Sequence, residues 1–142
     1  MKFLAGIALI VGGLFYVNKP DNCINLYVDD NVNQVSSSCI SAADNTNALV
    51  LLKNADYKIE GTEKYGNAVV CRVNGRPDAS MELCKDMPPA EAYWAILIKR
   101  HSVLPLFNEW GWAQTGINEV YLSKGDSLGL VFVVNGNVKW PS

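Results

Sequence analysis

Flat aromatic side chains are the residues here whose types and spacing best suit surface chemistry. Tyr93, Trp94, Phe107, Trp110 and Trp112 fall within 20 consecutive positions. Each has an apolar face, and Tyr and Trp add a polar tip, which suits sugar rings, planar cofactors or a partner's side chains. Trp110 and Trp112 flank Gly111, so in a strand both point to the same side. These five are the candidate binding residues. The same rings have a structural use, since Trp94 and one of the Trp110/Trp112 pair can complete a small core, and both readings stand at this point.

Other chemistry finds less support. Asp78, Glu82, Asp86 and Glu91 sit in one loop, where paired carboxylates could run glycoside hydrolysis at the right separation. Scattered acids in an exposed loop more often serve solvation. They lack the Asp-x-Asp spacing of a calcium loop. The single histidine, His101, stands beside Lys99 and Arg100 in an irregular segment and reads as a solvated strand-end residue. Phosphate-binding glycine loops and His-Glu-x-x-His are absent. No catalytic or metal-binding residue is assigned, and the chain is not expected to be an enzyme. Arg72, in the middle of a strand-like run, reads as a snorkelling or ion-paired side chain.

The chain that must position these groups has 142 residues, a formal net charge of -2 and 18% charged residues. That is a globular composition of one domain's length. Without a run of Lys or Arg, no nucleic acid partner is expected. Residues 3–17 are almost wholly apolar and follow Lys2. This layout predicts a signal peptide or an uncleaved N-terminal membrane anchor over residues 1–20, with a hydrophobic helix ahead of a folded domain at 21–142. Either form places the domain outside the cytoplasm, secreted or anchored to the membrane through residues 3–17. Four cysteines agree with an oxidising compartment. Of the three possible pairings, Cys71–Cys84 and Cys23–Cys39 are favoured because each closes a short local loop.

Ile24 to Val28 alternates as a half-buried strand, and Asn33 to Ile40 can return as a second, despite Ser36–Ser38. Thr46 to Ala55 has helical spacing, with Asp44 as the expected N-cap. Tyr57 to Gly61 is a short extended piece. Ala68 to Val73 reads as a central strand ended by the turn Asn74-Gly75. Arg76 to Glu91 is a loop with three prolines. Ala92 to Arg100 is the longest strand, with Trp94, Ile96 and Ile98 on one side and Tyr93, Ala95, Leu97 and Lys99 on the other. His101 to Gly116 reads as a hairpin-like excursion, Glu119 to Leu122 as a short strand and Leu128 to Val134 as a closing strand buried on both faces. This order is α+β: a small mixed sheet around one helix, the β-grasp arrangement, disulfide-stapled.

Several of these residues together resemble a known family. They are Cys71-Arg72-Val73-Asn74-Gly75, the Cys84-x-x-Met-Pro-Pro segment, Ala92-Tyr93-Trp94, Gly116 after the Trp-rich hairpin, and Lys124-Gly125-Asp126 before the last strand. The pattern is similar to the transcobalamin-like C-terminal domain family, in particular its short secreted or membrane-anchored bacterial single-domain proteins, over about residues 24–134. The resemblance implies an extracytoplasmic β-grasp domain over 21–142. It also implies, as an alternative to an unidentified ligand, a module for a cobalamin-like cofactor. In vertebrate carriers a partner domain holds the other face of the corrinoid, and this chain has no room for one. The expected function is therefore non-catalytic binding at the cell surface, with an envelope protein, a glycan or a small planar ligand as partner.

Overall fold

The computed structural model describes residues 22–32, 35–104 and 108–142. The expected leader or anchor over residues 1–20 and the aromatic Phe107 lie outside the described residues. Among those described, the fold is mixed α+β: mostly sheet, with one α-helix and two disulfides.

Strand β9 (Ser127–Val134) is the axis of a five-stranded sheet. It runs parallel to β1 (Ile24–Asp29) on one side and antiparallel to β6 (Ala92–Lys99) on the other. Outside β1 lies β2 (Val35–Ile40), and outside β6 lies β7 (Trp110–Trp112), both antiparallel to their neighbours. The order across the sheet is β2-β1-β9-β6-β7. Seven of the eight residues of β9 are buried. Its near-continuous apolar run follows from that position, because a strand covered on both faces gains nothing from polar alternation.

Period-two geometry splits the apolar side chains between two layers. Leu128, Leu130 and Phe132 of β9 join Ile24, Leu26 and Val28 of β1 and Trp94 of β6 in the main core. Helix α1 (Ala48–Asn54) covers this face with Ala48, Leu51 and Leu52. On the opposite face Val131 and Val133 meet Ala95 and Leu97, and Tyr27, Tyr93, Trp110 and Val138 pack over them. Val138 arrives because Asn135 and Gly136 take positive φ (55° and 73°) and fold the chain back on Val134.

The helix begins later than its hydrophobic spacing suggests. The cap is Asn47, whose side chain accepts from the Leu49 N–H at 2.9 Å, not Asp44. Thr46 and Asn47 form β3 (Thr46–Asn47), paired with β8 (Tyr121–Leu122), so the chain stays extended up to the cap. Asp44 accepts from the Lys124 N–H instead. At the other end the Tyr57 N–H reaches Leu52 O and the Asp56 N–H reaches Lys53 O, with Asp56 at φ 65°. This is a Schellman ending in which Asp fills the left-handed position.

A second correction concerns Ala68 to Val73. Only β5 (Arg72–Val73) is strand, and it pairs with β4 (Ile59–Glu60) in a separate two-stranded ladder rather than at the sheet centre. The Ala68 carbonyl is used by the Ile117 N–H of the 3-10 turn Ile117–Glu119, which draws 68–70 out of any ladder. Val70 and Val73 still reach the main core from its edge.

Both favoured disulfides are present. Cys23–Cys39 ties the start of β1 to the end of β2, and Cys71–Cys84 ties the proline loop to the residue before β5. Arg72, 8% exposed, reinforces the second staple. Its Nε pairs with Glu60 at 3.0 Å, and its Nη atoms donate to the carbonyls of Pro77 and Glu82. Asp126 holds the entry to β9, accepting from the N–H groups of Ser123 and His101 and from the Arg100 guanidinium.

Replacing Cys71 and Cys84 together by Ser reopens a loop of 13 residues separation. The expected cost is about 3 kcal/mol by the chain-entropy argument, read as a lower urea midpoint. An unchanged midpoint refutes the staple's role.

Candidate functional site

A groove of about 580 Å³ opens beside β6 where β7 stops. One wall is the proline loop, with Met87 and Pro88. The other is the exit from β7, with Trp112, Ala113 and Thr115, and between them lie Tyr93 to Ile96 of β6. Not one lining side chain is charged. The gap exists because β7 is short: Leu97 pairs with Trp112, the Ala113 N–H reaches Ile96 O, and there the ladder ends.

The five candidate aromatics separate. Trp94 is 4% exposed, its ring 5.3 Å from that of Phe132, and its indole N–H donates to Arg76 O at 2.9 Å. The ring is thus a core element, although the residue lines the groove. Trp110 and Trp112 share a face, as alternation requires, but have different surroundings. Trp110 lies across β9, tilted against Tyr27 at 6.4 Å, with the Lys99 ammonium over its ring. A Cβ on Gly129 would meet Trp110 Cζ3 at 3.0 Å, so a residue without a side chain is what lets the ring lie there. Trp112 is 44% exposed and meets Trp140 edge to face, centroids 5.7 Å apart. Tyr93 lies on the groove with it. The structure therefore brings Tyr93 and Trp112 together on a groove that Trp94 also lines, and withdraws Trp110.

The other candidates do not converge. Asp78 closes a local turn, and its carboxyl is held below the usual range mainly by the Ser80 hydroxyl it accepts from, helped by the N–H groups of Met81 and Ser80. Glu82 accepts from the Cys84 N–H. Asp86 pairs with Lys64 at 3.6 Å between two exposed side chains, a contact worth little in water. The His101 N–H is spent on Asp126, and its buried Nε2 has no partner among the described residues. Among those residues, one trio with metal-ligand chemistry comes together, Cys71, Glu82 and Cys84, but its sulfurs are joined to each other. Tyr27, over β9, has its phenol raised above the ordinary value by burial first and by the Asp29 charge second.

Sequence reasoning missed the groove's far wall and Trp140. Met87 and Pro88 carried a usable signal, since Pro88-Pro89 holds that loop extended. The contact of Trp112 with Trp140 carried none, because it needs the turn at Asn135-Gly136.

Trp94→Ala should cost about 3–5 kcal/mol, as large core truncations do. Trp112→Ala should cost about 1 kcal/mol or less, the scale of one exposed aromatic pair. Urea unfolding separates the two, and equal losses would place Trp112 in the core with Trp94. No family model, no curated protein and no solved structure matches the chain.

Proposed function

We propose that this chain is a non-catalytic binding domain outside the cytoplasm, secreted or held at the membrane by residues 3–17, and that the groove beside β6 is its contact surface. The observation that carries the reading is Trp112. A tryptophan left 44% exposed at the mouth of an uncharged groove, with Tyr93 beside it, is a large apolar surface that water serves poorly. Aromatic residues in such positions dominate interfaces because each offers a rigid face at little entropic cost. The partner is an envelope protein, a glycan or a small planar ligand.

The compartment is supported by the two disulfides, which persist where thiols are oxidised. We infer further that the architecture is a β-grasp. In support, the first and last strands of the main sheet pair in parallel at its centre, each hairpin partner lies outside, and one helix covers one face. The likeness to transcobalamin-like domains rests on the sequence motifs given above.

Two measurements test the proposal. A photoreactive amino acid in place of Thr115, on the groove, should give a discrete adduct in cells of the native host. The same probe in place of Val50, 51% exposed on α1, should give none. Adducts from neither position, or equally from both, remove the groove as the contact surface. Alkylation of the protein from its host should leave all four cysteines unmodified until a reductant is added; four reactive thiols would refute export. Cobalamin added to the full chain distinguishes the ligand inherited by resemblance, since a change in the corrinoid spectrum would make that the occupant.

A further inference from the structure

The sheet has a gap at the groove, and the gap has a hydrogen-bond polarity. In the β6·β9 ladder the backbone groups of β6 alternate between β9 and the opposite side. Two contacts set the phase. The Ala113 N–H reaches Ile96 O, so Ile96 faces the β7 side. The Asn25 N–H reaches Asp126 O and the Asn31 side chain donates to Phe132 O, so the even-numbered residues of β9 face β1 and the odd ones face β6. Tyr93 and Ala95 therefore bond to Val133 and Val131, whereas Trp94 turns its N–H and C=O away from β9. The residue that would stand opposite Trp94 on the β7 side is Thr115, and no bond joins them. Neither Trp94 group has a backbone partner among the described residues, yet the residue as a whole is only 4% exposed. A donor and an acceptor in one residue, on an open strand edge and without a protein partner, form a template that an added strand would pair.

We propose that the groove accepts a short extended segment of another polypeptide, which continues the line of β7 and adds as a strand antiparallel to β6 at Trp94. The inference rests on the groove being the contact surface and names its occupant. Charge complementarity selects a peptide with no charged side chain in the paired segment, because none of the lining residues is charged. A glycan is disfavoured, since it needs several side-chain donors and acceptors. The groove offers few, and the Trp94 indole is already spent on Arg76 O. A peptide needs only the backbone pair that Trp94 presents, with pockets for alternate side chains. Alternation then sets the recognition pattern. The residue opposite Trp94 points toward the layer of Val70, Ile117 and Ala113 and is small or aliphatic. Its two neighbours point to the other face, against Tyr93 and Trp112, and favour flat or β-branched side chains.

The probe is a phage library of random linear nonapeptides selected on the full-length oxidised chain in mild detergent, followed by synthesis of the enriched peptide. Enriched sequences should be uncharged over about four consecutive residues. Binding should slow hydrogen exchange at the Trp94 amide at least tenfold. Methylating the backbone nitrogen of the central peptide residue should weaken binding at least tenfold. Thr115→Arg, at an exposed position on the groove, should do the same while thermal stability is unchanged. No enrichment, or enriched peptides that bind without protecting the Trp94 amide, overturns strand addition. Protection of that amide without peptide, together with a dimer by light scattering, makes a second copy the occupant and equally overturns it. An adduct from the Thr115 position alongside unprotected Trp94 keeps the groove and discards only the strand; loss of both discards the groove.

Discussion

Parallel pairing of β1 with β9 is the constraint on which the rest depends. Two parallel strands cannot be joined by a tight turn, so the chain between Asp29 and Ser127 must leave the sheet and come back. It leaves through β2, crosses the sheet face as α1, and returns through β6 and β7 before closing at β9. Each departure is pinned by a local device. The Cys23–Cys39 bond holds the first hairpin, the Asn47 cap and Schellman ending delimit the helix, and Asp126 gathers three donors where β9 begins.

A strand buried on both faces must be covered twice. Helix α1 does this on one side with three buried residues in seven positions. On the other side cover comes from Val138 and from the Trp110 ring, which lies over Gly129. That second layer explains why two tryptophans one residue apart behave differently. Trp110 sits opposite Lys99, above the centre of the sheet, and is used for packing. Trp112 sits opposite Leu97, is half-exposed, and meets Trp140 at the edge of the groove.

The groove is a by-product of unequal lengths. β6 has eight residues and β7 three, so the outer edge of β6 is paired at one end and open at the other. Natural sheets usually blunt such an edge with charge, proline or a covering loop. Here the segment that follows the Cys71–Cys84 staple comes alongside with Met87 and Pro88, and leaves a channel instead of closing it.

Local patterns in the sequence determined the strands at Ile24 and Ala92, the two faces of β6, the double burial of β9, the turn at Asn74-Gly75, and both cross-links. These rest on side-chain period, on residues that tolerate positive φ, and on short loop closure, all of which act over a few neighbours. The tertiary structure decided the rest. Asn47 took the cap from Asp44 because β8, more than 70 residues away, holds Thr46 and Asn47 extended. Ala68 to Val70 gave up the ladder because Ile117 claimed the Ala68 carbonyl. The division of the aromatics into core and groove depended on which strand lay opposite each ring and how far it ran. Pairing partners distant in the chain set that outcome, and no local spacing encodes them.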